Sequence, residues 1–356
     1  MRISLSLLEV PNQSGRLSSM EGLRAYAAGV VFLLHVALLA PPELRDTFAV
    51  QWLAYGHHGV DIFFLLSGYL IAGMVRKSDF RYWSYLGHRV ARIYPALLAM
   101  LLLCSLGLFV LRGEVISPLR FVQNVFLLNG IFPLNIKPID YVTWSVFFEF
   151  AFYAVFPLLY RALGLRWALL AALVIIACVY DFDSRYSRFA MFLFGVWLRF
   201  HPERTLRIPT PVVIALYLAF TTLTIGVHHE MPTWAYVAGF GVVSYLLVDN
   251  TLHAGGALSR LFTWRPLRLI GNISYSFYLL HPTALLIARM LIAPLHLEGW
   301  SWLLALAVIG FALSMAMASV SFVLLERPYF LLRKNASRST ADRSGTALGG
   351  ATSAEG

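Results

Sequence analysis

Apolar segments long enough to cross a lipid bilayer recur along almost the whole chain, and they constrain its fold more than any other feature. Of the 356 residues 59% are hydrophobic and only 13% are charged, whereas ordinary soluble domains carry about 25% charged residues. A soluble core of this size does not need so much apolar sequence. A polytopic membrane protein does, at about 20 apolar residues per helical span. Ten candidate spans lie near residues 23–40, 59–76, 95–111, 142–160, 167–180, 187–200, 211–228, 233–250, 271–293 and 302–324. The one at 187–200 is short. A further apolar stretch at 119–133, interrupted by Pro133 and polar residues, reads as an interfacial or re-entrant helix. The expected fold is an all-α polytopic bundle of about ten transmembrane helices.

The balance of charge bears on topology rather than on binding. The formal net charge is +10, an excess that in a membrane protein collects in cytoplasmic loops. No segment has the character of a nucleic-acid-binding module. With the spans assigned to alternate sides, twenty of the 28 basic residues fall with the termini and even-numbered loops, and six fall opposite. That split places both termini in the cytoplasm, with residues 76–92 (RKSDFRYWSYLGHRVAR) as the strongest anchor. Residues 1–19 lack the apolar core and cleavage site of a signal peptide and read as a disordered N-terminal extension, with Met20 as an alternative start. Residues 331–356, rich in Ser, Ala, Gly and Thr, read as a disordered cytoplasmic tail. Residues 20–330 remain as the working domain. No internal repeat of the kind many transporters carry is evident. Cys104 and Cys178 lie in apolar spans and read as packing residues, and no metal-binding spacing appears, so neither a disulfide nor a metal is expected.

A few polar residues inside apolar spans stand out, because an ionisable group at the bilayer centre costs roughly 2.5–3.5 kcal/mol on insertion scales. Arg24 and His35 are eleven residues apart in the first span. That is almost three helical turns, so they share a face and stand about 16 Å apart along the axis. The spacing suits a long ligand with an anionic end at the membrane surface and a reactive end within it. His35 is a candidate general base, since an imidazole of pKa near 6.5 suits removal of a hydroxyl proton; the plainer reading is a packing histidine bonded to another helix. Glu149 is either a functional acid or an interhelical hydrogen bond. Asp61 lies close enough to the membrane surface to be solvated. Ser67 and Gly68 fall near the depth of His35, where they admit a ligand or let helices pack closely. Arg89 and Arg92 share a helical face. Each alone is an ordinary topological anchor. With Arg24 at the same surface they form a mouth for phosphates, which guanidinium groups bind in bidentate fashion. Coenzyme A fits this geometry, its phosphates at the arginines and its pantetheine arm extending towards His35. His281, followed directly by Pro282, reads as structural, and Glu326, at the end of the last span, as a partner for an arginine.

In this order the segments resemble the acyltransferase-3 family of membrane acyltransferases. Residues 21–35 (EGLRAYAAGVVFLLH) look like its opening helix, with Arg24 and His35 matching its essential arginine and histidine. Residues 59–71 (GVDIFFLLSGYLI) match its second-helix signature, and residues 89–95 (RVARIYP) its Arg-x-x-Arg segment. Residues 144–157 (WSVFFEFAFYAVFP) match a further segment that adds Trp144 to the candidates, and Glu326 falls where the family often has a glutamate. The resemblance covers about residues 20–330; Glu21, Ala25 and the placing of Pro282 depart from the common pattern without removing a proposed catalytic group. It implies transfer of an acyl group, usually acetyl from acetyl coenzyme A, to a hydroxyl of a carbohydrate or related acceptor. The implied setting is the bacterial inner membrane, with an exported or surface saccharide, free or lipid-linked, as acceptor. His35 would act as base or acyl carrier, with Glu149 orienting it, and Arg24, Arg89 and Arg92 would hold the coenzyme. Acyl coenzyme A, a saccharide and membrane lipid are the expected partners, with no nucleic acid. A proton-coupled transporter or flippase of a lipid-linked sugar would also place His, Glu and Arg in spans. The coincidence of an arginine mouth with a histidine on the same helical face favours the enzyme. A structural partner in an export complex leaves that spacing unexplained.

Overall fold

The computed structural model describes residues 5–10, 18–202, 206, 208–227 and 231–332. Among them thirteen α-helices follow one another and no strand occurs. Helices α1 (Ser18–Leu38), α2 (Phe48–Ala54) and α3 (His58–Val75) precede the long α4 (Tyr82–Arg112), the short α5 (Pro118–Val125) and the longest helix, α6 (Thr143–Tyr180). Then come α7 (Ala190–Phe200), α8 (Thr210–Val227), α9 (Thr233–His253), α10 (Ala257–Phe262), α11 (Arg265–Asn272), α12 (Ser274–Ile292) and α13 (Gly299–Ser321). A π turn at Phe322–Glu326 carries α13 on to Leu332.

Seven helical stretches among the described residues are long and apolar enough to cross a membrane: α1, α2 with α3, α4, α6, α9, α12 and the extended α13. The other three spans expected from sequence correspond to shorter or merged elements. Two expected spans lie within α6, whose 38 residues would run about 57 Å as a straight helix, against a hydrocarbon core of about 30 Å. Gly164 breaks the run with φ 75° and ψ 173°, a conformation glycine adopts without the steric cost of a side chain. It divides α6 into two arms. α7 has 11 residues and α8 has 18, of which Thr210–Ile225 is the apolar stretch. The expected re-entrant segment is α5 followed by two 3₁₀ turns, Leu128–Gly130 and Phe132–Leu134.

α1 sits at the centre, packed against α3, α11 and α12, with Leu23, Ala27, Ala28 and Val31 buried. Buried apolar residues form a larger body that joins α1, α3, α4, α6, α7 and α9, and a smaller one between α1, α12 and α13. α3 and α7 meet at backbone distance. A methyl on Gly68 would stand 2.0 Å from the Phe192 carbonyl oxygen, and one on Gly195 would stand 1.9 Å from that of Leu65. Of the two uses expected for Gly68, the structure shows close helix packing. Beside this seam Phe64 and Phe152 stack on Phe192 at 4.5 and 4.3 Å, and Phe148 stacks on Phe189 at 4.4 Å. Trp144 joins this aromatic core edge-on to Phe148 at 5.4 Å.

Part of the N-terminal extension packs on this body, which corrects the expectation of disorder for residues 5–10. Leu8 is buried, its carbonyl accepts from Asn272 Nδ2 at 3.0 Å, and Glu9 pairs with Arg265 at 2.8 Å. Apolar burial of Leu8 against the α1–α13 cluster supplies a driving force that composition alone concealed. Residues 1–4 and 11–17, and the expected tail from 333 onward, lie outside the described residues.

Candidate active site

α1 and α12 pack together, and polar side chains from both line the interior of the bundle. On α1, Arg24 and His35 lie towards opposite ends. On α12, Tyr275, Tyr278 and His281 recur every three residues and so lie along one side of the helix. Tyr275 OH donates to the Ile93 carbonyl of α4 at 3.0 Å. Tyr278 OH donates to the Val142 carbonyl at 3.2 Å and meets Ser145 Oγ at 2.7 Å. His281 reaches across to α1, its Nε2 standing 3.0 Å from His35 Nδ1. Both rings are enclosed, His35 being 8% and His281 1% exposed.

The partners of these imidazoles fix their protons. A carbonyl only accepts, so His281 Nδ1, 2.7 Å from the Tyr278 carbonyl, carries hydrogen, and in the neutral ring its Nε2 keeps a lone pair. His35 Nδ1 lies 2.8 Å from the Val31 carbonyl and carries hydrogen for the same reason, shared between that oxygen and His281 Nε2. His35 Nε2 is left with a lone pair and makes no hydrogen bond among the described residues. That is the nitrogen a general base or a nucleophile presents. When it gains a proton, the bonds from Nδ1 become charge-assisted and strengthen.

Glu149 is engaged elsewhere. It accepts from Ser67 Oγ of α3 at 2.6 Å and from Tyr153 OH one turn along α6. The expected orienting contact to His35 is not made: the imidazole's partners are His281 and the Val31 carbonyl. Arg89, only 7% exposed, is more enclosed than a residue at the rim of a mouth. Its guanidinium lies 4.8 Å from the Tyr153 ring and 5.7 Å from the Tyr85 ring, with Nη2 3.0 Å from Met74 Sδ. Five N–H donors held by one thioether and two ring faces leave donor capacity for an anion.

Glu326 lies within reach of the charges of Arg92 and Arg24. It is buried and accepts from Ser276 Oγ at 2.6 Å. The Arg92 guanidinium also lies 5.6 Å from the Phe330 ring. Glu326 ends the π turn, a backbone irregularity that frequently marks functional positions. Tyr275 lies within the fields of Glu326, Glu149 and Arg92.

Asp61 is not the solvated acid expected from its place in the sequence. It is 0% exposed and pairs with Arg188 Nη1 at 2.5 Å, because the 3₁₀ turn Ser184–Phe189 and α9 pack together over the first turn of α3. Arg188 lies 127 residues away and carries no local signal. Tyr153 was legible in principle, four residues after Glu149 and thus on its helical face. Tyr141, whose ring stands 5.1 Å from that of His35, has no counterpart in the sequence reading. Among the described residues no group of three or more His, Cys, Asp or Glu is placed to hold a metal.

Fold and site together define a multi-pass helical membrane protein with a carbonyl-pinned histidine pair between α1 and α12. The family model of an acyltransferase domain matches residues 17–319, and the chain belongs to the acyltransferase-3 family. It is 24% identical over 367 aligned residues to the O-acetyltransferase OatA of Staphylococcus aureus strain NCTC 8325 / PS 47, an alignment that covers 88% of this chain and 57% of that protein. OatA of strain COL gives the same figures. The chain therefore spans little more than half the length of these relatives. No solved structure matches it.

Proposed function

We propose that this chain is a membrane O-acyltransferase that moves an acyl group, acetyl foremost, from acyl coenzyme A to a hydroxyl of an exported or surface saccharide. Its place is the bacterial inner membrane, with both termini cytoplasmic, a reading supported by the split of basic residues. Family membership and the names of the relatives support the reaction class. The observation that carries the assignment to this chain's own residues is the His35–His281 pair, with one lone pair left at His35 Nε2.

Arg24, Arg92 and the enclosed Arg89 would hold the phosphates of the coenzyme, whose bound thioester supplies an activated acyl group. Glu326 would set the spacing of Arg24 and Arg92, and Glu149 would hold Tyr153 and, across its ring, Arg89. In a direct transfer the acceptor hydroxyl gives its proton to His35 Nε2 as its oxygen attacks the thioester carbonyl. The C–S bond then breaks and the coenzyme thiolate recovers the proton from Nε2. In a two-stage course Nε2 attacks the thioester carbonyl and the C–S bond breaks, leaving an acyl-imidazolium and the coenzyme thiolate. The acceptor hydroxyl then attacks that acyl carbon, the C–N bond breaks, and the hydroxyl proton passes to the thiolate. Mass spectrometry of the envelope saccharide from producing and deletion strains tests the reading. Base-labile O-acetyl esters should disappear with the gene; an unchanged ester content contradicts it.

A further inference from the structure

The connection from α4 to α6, residues 113–142, carries α5 and two 3₁₀ turns. It is also tightly held. Asn124, 0% exposed, donates to the carbonyls of Arg120 and Lys137 at 2.9 and 3.3 Å and accepts from Ile139 N at 2.9 Å. Glu114 bridges Arg120 and Lys137 at 2.6 and 2.7 Å. Hydrogen bonds from Lys137 first and Arg120 second pull its carboxyl down to about 2. Asp140 Oδ1 accepts from Val142 N at 3.0 Å, the Asp140 carbonyl accepts from Thr143 Oγ1 at 2.7 Å, and Val142 O accepts from Tyr278.

All this bonding fixes residues 139–143, which are buried at 8%, 5%, 2% and 0% exposure with a single exception. Tyr141, in their midst, is 50% exposed. Its ring stands 5.1 Å from the His35 ring, tilted by 39°, and its hydroxyl makes no hydrogen bond among the described residues. An exposed tyrosine two residues before a span is ordinarily an interfacial anchor. An anchor does not need a buried asparagine, a three-membered ion cluster and a second helix to hold it against a catalytic imidazole.

We propose that Tyr141 is the stacking platform of the acceptor site, and that it receives the C–H face of a pyranose ring so as to present a hydroxyl to His35. This rests on the acyltransferase reading of His35. The negative face of an aromatic ring attracts the weakly positive C–H hydrogens of a sugar, and the phenol offers a polar edge for a neighbouring hydroxyl. A pyranose supplies both faces of that recognition together with the reacting hydroxyl.

The test uses the full chain in lipid nanodiscs, radiolabelled acetyl coenzyme A and a panel of methyl and aryl hexopyranosides, with glycerol as a non-carbohydrate acceptor. Tyr141→Ala should raise the apparent KM for the best glycoside about tenfold and leave the KM for acetyl coenzyme A unchanged. Tyr141→Phe, which keeps the ring, should stay within about twofold of wild type. The side chain is half exposed, so neither change opens a core cavity. An unaltered glycoside KM in Tyr141→Ala overturns the proposal, as does a glycerol preference in the wild type. A wild type that consumes no donor with any acceptor overturns the acyltransferase reading itself, and the platform with it.

Discussion

A neutral histidine is a suitable partner for a catalytic imidazole inside a membrane. A carboxylate in the place of His281 would bring a second charge into a low-dielectric interior, where desolvation costs several kcal/mol per ion. His281 instead offers a lone pair, its own proton being committed to the Tyr278 carbonyl. His281→Leu should therefore lower turnover by roughly 10–100-fold through misplacement of His35, a scale typical of small shifts in reacting groups. Donor KM should not move, and His281→Gln, whose amide oxygen can accept from His35 Nδ1, should recover part of the loss. Equal rates for Leu and Gln would reduce His281 to packing. At the other group of charges, Arg92→Ala should raise the KM for acyl coenzyme A about tenfold or more, since a hydrogen bond to a charged group contributes about 1.5–3 kcal/mol. Steady-state kinetics that show no change would leave Arg92 as a topological anchor. Arg92 is the better probe, because removal of the enclosed Arg89 also strips its contacts with the Tyr85 and Tyr153 rings. At this scale the sequence was informative wherever helical periodicity applied. Arg24 and His35 share a helix, so their common face followed from their numbers. His281 lies 246 residues from His35, and a single sequence holds no information on such pairs; a separation of 127 residues hid Arg188 from Asp61 in the same way.

The helices themselves were legible because their apolar residues run in long unbroken stretches, but their lengths and joins were less so. Two expected spans are the arms of α6, which breaks at Gly164 between Arg161 and Arg166, so the break was legible while the continuity of the helical run across it was not. Asp61 was misread for a related reason: depth in a span is judged from its ends, and nothing local shows that the turn at Ser184–Phe189 closes over it. Gly68 tests the packing directly. Gly68→Ala would force a methyl against the Phe192 backbone, and overpacking of this kind costs about 1–3 kcal/mol. The variant should unfold at a lower temperature than wild type in the same detergent, by scanning fluorimetry. An unchanged melting temperature would mean that α3 and α7 do not meet at this seam.

For the whole molecule the first question is orientation. The excess of basic residues on one side predicts that reporter fusions after residues 45 and 298 report the periplasm, and that fusions near 80 and 335 report the cytoplasm. A cytoplasmic signal at 45 would reverse the chain and put the arginine mouth on the side without coenzyme. In the proposed division of labour the arginines hold the donor while His35 does the chemistry. Measurement of coenzyme A binding and acetyl transfer on the same purified His35→Ala protein tests that division most directly. General-base catalysis contributes typically 10²–10⁴-fold, so transfer should fall by about that factor while donor affinity, set at Arg24, Arg89 and Arg92, stays at the wild-type value. A folded His35→Ala protein that acetylates its acceptor at the wild-type rate would contradict the account.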